Sequence, residues 1–527
     1  MTTMTGATRD AMAGATRELR RFRTVALLVA SALLTACAAV GPDYRAPPAV
    51  AVGDGWTQPV DTAGSVDLVH WWSGLGDPVL ERLIDTALAQ HLDLRRAGAR
   101  IDEARALRDR VAGDRAPVVG AGASVNRRRQ SENGPLPVGS IPGLDTTQTI
   151  LDVGFDAAWE ADLFGAKRRA LEGADARLQA SEVDAQGVRM RIVAEVARAW
   201  FTAAGAADEL RTQQATLRTL QQTVDLVRKR AELGDVAAAD IETAQAQWAA
   251  AHAALPDIRA RQRAAVLSLG VLLGAPPEQE LALLDAASPV LERSAVELRA
   301  LPVGERADVL RRRPDVLAAE RQLAASTADI GVATAELFPK LSIGVGGGFQ
   351  ALSAGDWFDA SSTRFSILPM ISWRLFDGGR VRAEIRARDA AARQAALAWE
   401  QAVLAALGDA ERALGDYRAS LDTLQRRQTA LDATRRSHGH AKARFAAGDI
   451  ALVELLATER LLHEAETSSA RARAAAASSS VTTTIRSGGS ASHSTPRTSR
   501  NMASARIARS AGDSTSESRC FARSNRF

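Results

Sequence analysis

The sequence predicts an α+β membrane protein built from a duplicated unit, in which two β-strands are followed by one very long helix. Three observations predict this fold class. The chain contains two related copies of a segment of roughly 200 residues. Each copy carries two runs of about ten residues in which apolar and polar side chains alternate. Each copy then continues into a helical stretch without proline, at 166–232 and at 380–446.

The duplication rests on three matches that occur in the same order in both copies. DVGFDAAWEADLFG at 152–165 corresponds to SILPMISWRLFDGG at 366–379, and RAELGDVAAADIETA at 230–244 corresponds to RFAAGDIALVELLAT at 444–458. Both matches have an offset of 214 residues, and a third match lies upstream of them. A repeat this long is not a short-period solenoid, so we expect two complete substructures related by pseudo-symmetry.

Residues 1–36 are predicted to be a lipoprotein signal peptide. Arginines precede the apolar run TVALLVASALL at 24–34, which is too short to span a bilayer. The run ends in Leu-Thr-Ala-Cys, the pattern of a bacterial lipobox, so Cys37 is predicted to carry acyl chains that anchor the protein in the membrane. The alternative is an ordinary signal peptide with an incidental cysteine. Because Cys520 is the only other cysteine and lies in an atypical tail, no disulfide framework is expected.

Residues 37–70 are expected to contain the lipidated cysteine and an extended linker rich in proline and glycine. Ala38 follows the cysteine, where an aspartate would favour retention in the inner membrane, so the outer membrane is the expected location. The net charge of +4 comes from the two termini, since residues 37–478 are mildly acidic. The basic isoelectric point is therefore no sign of nucleic-acid binding.

The patterns of the remaining sequence predict helices and strands in a definite order. A helix is predicted to begin at Asp77-Pro78, where aspartate can cap it and proline can occupy the first turn, and to end near 113. Strands are predicted at 118–127, 149–160, 340–351 and 365–375. Their length suits tilted, membrane-spanning strands, but four strands cannot close a barrel and unpaired edges in lipid are costly. Several chains must therefore pool their strands.

Each proline-free stretch is predicted to form a helical rod on the order of 100 Å long, which needs neighbouring helices along its whole length. The rods end at Gly234 and Gly448, where the chain is expected to turn back. From residue 479 the periodicity is lost, so 479–527 is predicted to be disordered. A shifted reading frame at the gene end would explain this change of character and would remove the last helix of the second copy.

Four segments together make the chain resemble the outer-membrane efflux proteins, a TolC-like family, in their lipoprotein branch. They are WWSGLGDPVLERLIDTAL at 71–88, WEADLFGAKRR at 159–169, LRRRPDVLAAERQLAASTADIGVATAELFPKLS at 310–342 and SWRLFDGGR at 372–380. With the duplication, the resemblance divides the chain into a first efflux repeat at 71–282 and a second at 300–478.

The resemblance implies a homotrimer whose twelve strands form one β-barrel in the outer membrane and whose long helices form an α-barrel in the periplasm. Such a channel is the exit duct of a tripartite pump. Its partners are a periplasmic adaptor, an inner-membrane transporter of the resistance-nodulation-division type and outer-membrane lipid. We expect export of drugs or other toxic small molecules. The alternatives are a duct for protein secretion driven by an ABC transporter and a non-conducting periplasmic scaffold.

The resemblance also implies a docking site at the two helix-turn tips. Gly234-Asp235 and Gly448-Asp449 match the turns that meet adaptor hairpins in the family. The alternative is a plain turn in which glycine supplies the left-handed conformation. The two interpretations are compatible with each other.

Acidic residues just beyond the tips match an aperture in the family. Asp240 and Glu454 correspond to acids that ring the closed pore, where three carboxylates would attract cations. The alternative is a solvated helix face. This sequence departs from the family pattern at two positions. Ile450 stands where an arginine can occur, so one inter-helix salt bridge is not predicted with certainty. Ala457 stands where a second acid can occur, so the same holds for one ring of acids.

The sequence predicts no metal site, no cofactor and no catalytic constellation, so the chain is not expected to be an enzyme. His438 and His440 are two histidines on a long helix, whereas a structural zinc site usually needs four ligands. The glycine-rich runs at 120–125 and 344–349 lie in predicted strands and do not complete a G-x-G-x-x-G motif.

Overall fold

The computed structural model describes residues 39–47, 53, 55–58, 71–131, 145–286 and 305–486. The helices are α1 (Pro78–Gln90), α2 (Leu92–Gly113), α3 (Ala166–Glu232), α4 (Ala238–Ala253), α5 (Leu255–Leu273), α6 (Leu283–Ala286), α7 (Arg306–Arg312), α8 (Pro314–Ala335), α9 (Arg380–Ala446) and α10 (Leu452–Arg486). The strands are β1 (Val118–Arg129), β2 (Thr147–Ala161), β3 (Lys340–Ala351) and β4 (Thr363–Ser372). The predicted signal peptide and Cys37 lie outside the described residues.

Three pairs of corresponding elements in the two copies have equal lengths. α2 and α8 have 22 residues each, β1 and β3 have 12, and α3 and α9 have 67. The first two pairs are offset by 222 residues and the long helices by 214, so the second copy is shorter between its first strand and its long helix. The predicted bounds of both long helices are confirmed, and the four predicted strands are present.

The four strands form one antiparallel sheet in the order β1-β2-β3-β4. Every pairing joins residues of the same parity, as in Val119 with Ala157 and Ile343 with Pro369. Because side chains alternate along a strand, all odd-numbered residues of the sheet share one face. Pro369 lies in β4, which is an edge strand of the sheet within the single chain.

A tryptophan in each copy ties the end of the second strand to the connection that precedes the first strand. Trp159 Nε1 donates to the carbonyl of Arg115, and Trp373 Nε1 donates to the carbonyl of Leu337, both at 3.0 Å. These matching hydrogen bonds hold both indoles, which remain partly exposed, at the strand-to-helix corner.

The largest buried cluster joins α1, α3, α5 and the end of α10. Asp77 caps α1 as predicted, because its Oδ1 accepts from the amides of Val79 and Leu80. Its Oδ2 accepts from Nε1 of the fully buried Trp200 at 2.6 Å, so the cap is also tied to α3. Further buried members are Ile84, Val196, Phe201, Val266, Leu269 and Val481.

The single helix predicted from 77 to 113 is interrupted at His91. This residue has an extended ψ of 129°, and its Nδ1 accepts from the amide of Asp93 as a cap for α2. The sequence contains neither glycine nor proline at this point, so the break carried no strong local signal. None of the helices in the described ranges combines the length and apolarity required to cross a bilayer.

The last helix contradicts part of the predicted disordered tail at 479–527. α10 continues to Arg486, with Val481 and Thr483 buried, and Thr483 Oγ1 donates to the carbonyl of Ala413 at 2.9 Å. The prediction is wrong for 479–486, because small Ser and Thr side chains allow close helix contact and their hydroxyls bond backbone carbonyls. The second copy therefore extends past 478 and keeps its last helix. Residues 487–527 lie outside the described residues.

Candidate functional site at the helix tips

The two long helices end in turns with the same geometry. Gly234 and Gly448 have φ values of 78° and 84°, in the left-handed region that favours glycine. The amides of Asp235 and Asp449 each donate to the carbonyl five residues earlier, at 2.9 Å in both turns. This is the hydrogen bond of a Schellman motif, so both tips are helix C-caps followed by a reversal of the chain.

The side chains of the tips point to solvent. Among the described residues, no heavy atom beyond the adjoining chain lies within 4 Å of the place where a Cβ would stand on Gly234 or Gly448, so the glycines are required by their backbone conformation and not by crowding. Asp235 and Asp449 are exposed. Because the turns do not need these carboxylates, both remain accessible to another molecule.

An apolar cluster beneath the tips holds the two turns together, and we call it the tip cluster. Its buried members are Val224, Val227, Ala244, Ala441, Phe445, Ile450, Leu452, Leu455 and Leu456. Ile450 is 9% exposed and belongs to this cluster, so an apolar side chain suits a position where the family can carry an arginine. Position 450 therefore provides no basic group for the inter-helix salt bridge that an arginine could form there.

Arg230 makes a direct polar link between the tips, which sequence reasoning missed. Its guanidinium carbon lies 4.6 Å from the centroid of the Phe445 ring, and its Nη2 donates to the carbonyl of Ala446 at 3.3 Å. A cation over an aromatic face is attracted by the ring quadrupole. The only sequence signal was the position of Arg230 in the last turn of a helix, where basic residues are common.

The two predicted aperture acids have different environments. Asp240 lies in the first turn of α4, and its Oδ2 accepts from the amide of Ala237 at 3.1 Å, so it caps that helix. Glu454 lies in the first turn of α10 and is exposed, as is Ala457 one turn later. One acid is thus engaged in a cap and the other faces solvent within the single chain.

The chain just after the predicted lipidation site is held at the corner between β2 and α3. The amide of Val40 donates to the carbonyl of Phe164 at 3.0 Å. Arg169, only 5% exposed, donates from Nε to the carbonyl of Val40 and from Nη2 to Asp43. These contacts attach the N-terminal segment to the end of the sheet that leads into the long helix, and they give a structural role to the second arginine of WEADLFGAKRR.

Several polar side chains that the sequence analysis did not single out are buried between α3, α9 and α10. Glu459 is 2% exposed and its Oε1 accepts from Thr223 at 2.9 Å, while Nδ1 of His463 lies 2.8 Å from Thr216 Oγ1. Burial, with a smaller contribution from the charge of nearby His438, lowers the pKa of His463 to about 4. Burial raises the pKa of Glu459. We call these residues the buried polar cluster.

His438 and His440, which the sequence analysis did not accept as a metal site, lie in different environments. His438 is buried, and its Nδ1 has no hydrogen-bond partner among the described residues, whereas His440 is exposed. Across the described ranges, no group of three or more His, Cys, Asp and Glu residues is arranged to hold a metal ion.

The fold and the tips define a class of protein: a channel protomer with a membrane sheet at one end and long paired helices that end in exposed turns. The model of the outer membrane efflux protein family matches residues 83–275 and 306–484, one stretch in each copy. The chain belongs to this family. It is an outer-membrane channel of the efflux type, and the predicted family, function class and outer-membrane location are confirmed.

Individual relatives agree with this assignment. The chain is 32% identical over 438 residues to the outer membrane protein OprJ of Pseudomonas aeruginosa, covering 81% of this chain and 87% of OprJ. It is 29% identical over 454 residues to the pyoverdine export outer membrane protein OpmQ of Pseudomonas putida, covering 85% and 93%. The solved structure of the outer-membrane channel OprN is 35% identical, with a TM-score of 0.76 and coverage of 85% and 99%. The predicted α+β channel fold is confirmed.

Proposed function

We propose that three copies of this chain form the outer-membrane duct of a tripartite pump that exports drugs or other toxic small molecules. The four-stranded sheet supports this proposal, because in the described residues β1 pairs only with β2, and β4 only with β3. Both outer edges would be costly in lipid. Pairing β1 of one copy with β4 of the next removes every edge and gives a barrel of twelve strands.

The observation that carries the pump function is the matched pair of tips. Two Schellman turns with the same hydrogen bonds present Asp235 and Asp449 about 100 Å of helix away from the sheet. This distance suits contact with a periplasmic adaptor, which in turn would engage an inner-membrane transporter of the resistance-nodulation-division type. Adaptor contact at the tips would spread the helices and open the duct.

The aperture proposal assigns Asp240 and Glu454 to rings of three carboxylates at the periplasmic mouth. Glu454 is exposed at the start of α10, which suits a pore-lining position. Asp240 would share its carboxylate between the helix cap and the pore, since a carboxylate can accept several hydrogen bonds.

We also propose that Cys37 anchors the duct to the outer membrane by acylation. Ala39 packs against Gly165 at the corner between β2 and α3, because a Cβ on Gly165 would lie 2.5 Å from that of Ala39. Two residues of chain span at most about 7 Å. The lipid would therefore enter the membrane beside the periplasmic end of the sheet.

A drug-susceptibility assay tests the proposed function in a strain that lacks its own outer-membrane efflux duct. The full chain is expressed with a matching adaptor and transporter, beside the double variant Asp235→Lys/Asp449→Lys and a vector control. We expect resistance to return with the wild type and to be lost with the charge-reversed tips, although that variant still forms heat-modifiable trimers.

Three outcomes would contradict the proposal in different ways. Stable, conducting trimers that restore secretion of a protein substrate and not resistance would identify a secretion duct. Trimers without single-channel conductance would identify a scaffold. Full resistance in the double variant would show that Asp235 and Asp449 are not needed for contact with the adaptor.

A further inference from the structure

One face of the sheet is predominantly apolar, and the other carries most of the charged side chains together with the exposed Leu368 and Met370. The odd-numbered face carries exposed apolar side chains, among them Val119, Val125, Phe365, Ile367 and Ile371, which are 66–83% exposed. The even-numbered face carries Ser124, Asp152, Asp156, Arg364 and Ser366. In a membrane barrel the apolar face meets lipid and the polar face lines the interior. The even-numbered side chains therefore face the path that an exported solute follows.

An ion pair crosses this polar face and passes over a whole strand. Arg364 in β4 donates from Nε and Nη2 to the two carboxylate oxygens of Asp152 in β2, with β3 between them. Gln350 of β3 also donates to Asp152, at 2.9 Å. Two hydrogen bonds from one guanidinium to one carboxylate fix both position and direction.

A pair of glycines makes the passage over β3 possible. Arg364 stands opposite Gly348, and Gly348 stands opposite Gly154, so the guanidinium crosses a row that has no side chains. A Cβ on Gly154 would lie 3.2 Å from Nη2 of Arg364, and one on Gly348 would overlap the carbonyl of Val153. The glycines at positions 154 and 348 are thus explained by close packing at this crossing.

A further carboxylate lies beside the ion pair. Asp156 is on the same face, in the row formed with Gly346 and Ser366, and both acids border the same groove as Arg364. This part of the face carries two carboxylates and one guanidinium. Three copies around a barrel would form a belt with an excess of three negative charges.

We propose that Asp152, Arg364 and Asp156 form a charge filter inside the outer-membrane barrel, and that it makes the exit of the duct favour cationic solutes. The proposal rests on the trimeric duct described above. It adds a selectivity element within the membrane, separate from the acids of the periplasmic aperture. A fixed ring of charge in a confined pore raises the local concentration of counter-ions and repels co-ions.

The test is the reversal potential of single channels in planar bilayers under a KCl gradient. An aperture ring would itself favour cations. Each substitution is therefore made in two backgrounds, the otherwise wild-type chain and the Asp240→Asn/Glu454→Gln variant. We expect Asp156→Asn to lower the K⁺ to Cl⁻ permeability ratio about two-fold and Arg364→Gln to raise it by a similar factor. Ser366→Ala, an uncharged change in the same row as Asp156, should leave the ratio unchanged.

Results that contradict the charge filter can be distinguished from results that contradict the duct itself. Conducting channels whose permeability ratio is the same in Asp156→Asn, Arg364→Gln and the wild type would overturn the filter and leave the duct intact. Absence of any conductance from the wild type would overturn the duct and the filter with it. Should Arg364→Gln fail to assemble, Arg364→Lys keeps the charge and must retain the wild-type ratio, while Asp156→Asn still decides the proposal.

Discussion

The guanidinium of Arg230 at the end of α3 lies over the ring of Phe445 at the end of α9, 4.6 Å from the ring centroid. The two residues come from different copies of the duplicated unit, and they join the two turns through which the duct would meet its adaptor. Arg230 also donates to the carbonyl of Ala446, so it stabilises the last turn of α9 as well as the contact.

Arg230→Ala is expected to loosen the contact between the two tips. It removes a cation–π contact and a hydrogen bond, a loss of about 1 kcal/mol at a partly exposed site. The expected result is a higher frequency of channel opening in planar bilayers. Arg228→Ala is the control, because Arg228 lies in the same helix and pairs with Asp225 one turn away in that helix. Equal opening frequencies in the two variants would show that the contact does not restrain the gate.

Gly234→Ala and Gly448→Ala are each expected to lower the stability of a tip by about 1 kcal/mol, because both positions have a positive φ. The new methyl group would meet no atom of a neighbouring element in the described part of the chain, so the strain is confined to the backbone. Gly439→Ala is the control within α9, where alanine should stabilise the helix by up to about 1 kcal/mol. Urea unfolding followed by circular dichroism measures all three. A stabilising effect at both tips would contradict the assigned turns.

A stop after Arg486 is expected to leave the channel functional, whereas a stop after 478 should destabilise it. The shorter chain loses Val481 from the main core and the hydrogen bond from Thr483 to Ala413. Removing one buried aliphatic side chain alone costs about 1–3 kcal/mol. Trimer yield from detergent extracts compares the two truncations with the full chain. Equal yields would mean that the last turns of α10 are dispensable.

Cys37→Ala is expected to abolish acylation and weaken membrane attachment of the precursor, whereas Cys520→Ala should change neither. Several acyl chains together give stable anchoring that a single contact does not. Incorporation of labelled palmitate measures the modification directly. Labelling of the Cys37→Ala protein would place the lipid on another residue.

The buried polar cluster predicts a loss of stability on mild acidification. The folded pKa of His463, about 4, lies below the ordinary value of 6.5, so the unfolded chain binds the proton first as the pH falls. The contribution of His463 to stability is complete above about pH 6.5 and is lost between pH 6.5 and 4. At pH 5 the loss is about 1–2 kcal/mol.

His463→Gln isolates this contribution. His438 on α9 acts in the same direction, because burial and the charge of Lys442 lower its pKa. The raised pKa of Glu459 acts in the opposite direction as the pH falls toward the ordinary carboxyl value of 4.5. The measurement is the difference in urea midpoint between pH 7.5 and pH 5. The difference should be smaller in His463→Gln than in the wild type, and identical differences would rule out the assigned titration.

Much of the architecture was predictable because its signals are local. The absence of proline over 67 residues, the glycines at both tips and the alternation in the strands specified both long helices and all four strands. The tail was predicted less well. Ser479 and the threonines after it looked disordered because short polar residues carry no helical periodicity, yet they pack against α9.

The sequence by itself determined the duplicated unit, the membrane class and the positions of the tips, since these depend on spacing and residue type along a continuous stretch. Only the tertiary structure decided which residues meet: Arg230 with Phe445, Arg364 with Asp152, and the buried polar cluster between three helices. These partners are separated by about 200 residues or more in the chain. Such contacts arise when long-range packing brings distant elements together, and no local pattern encodes which side chains then face each other.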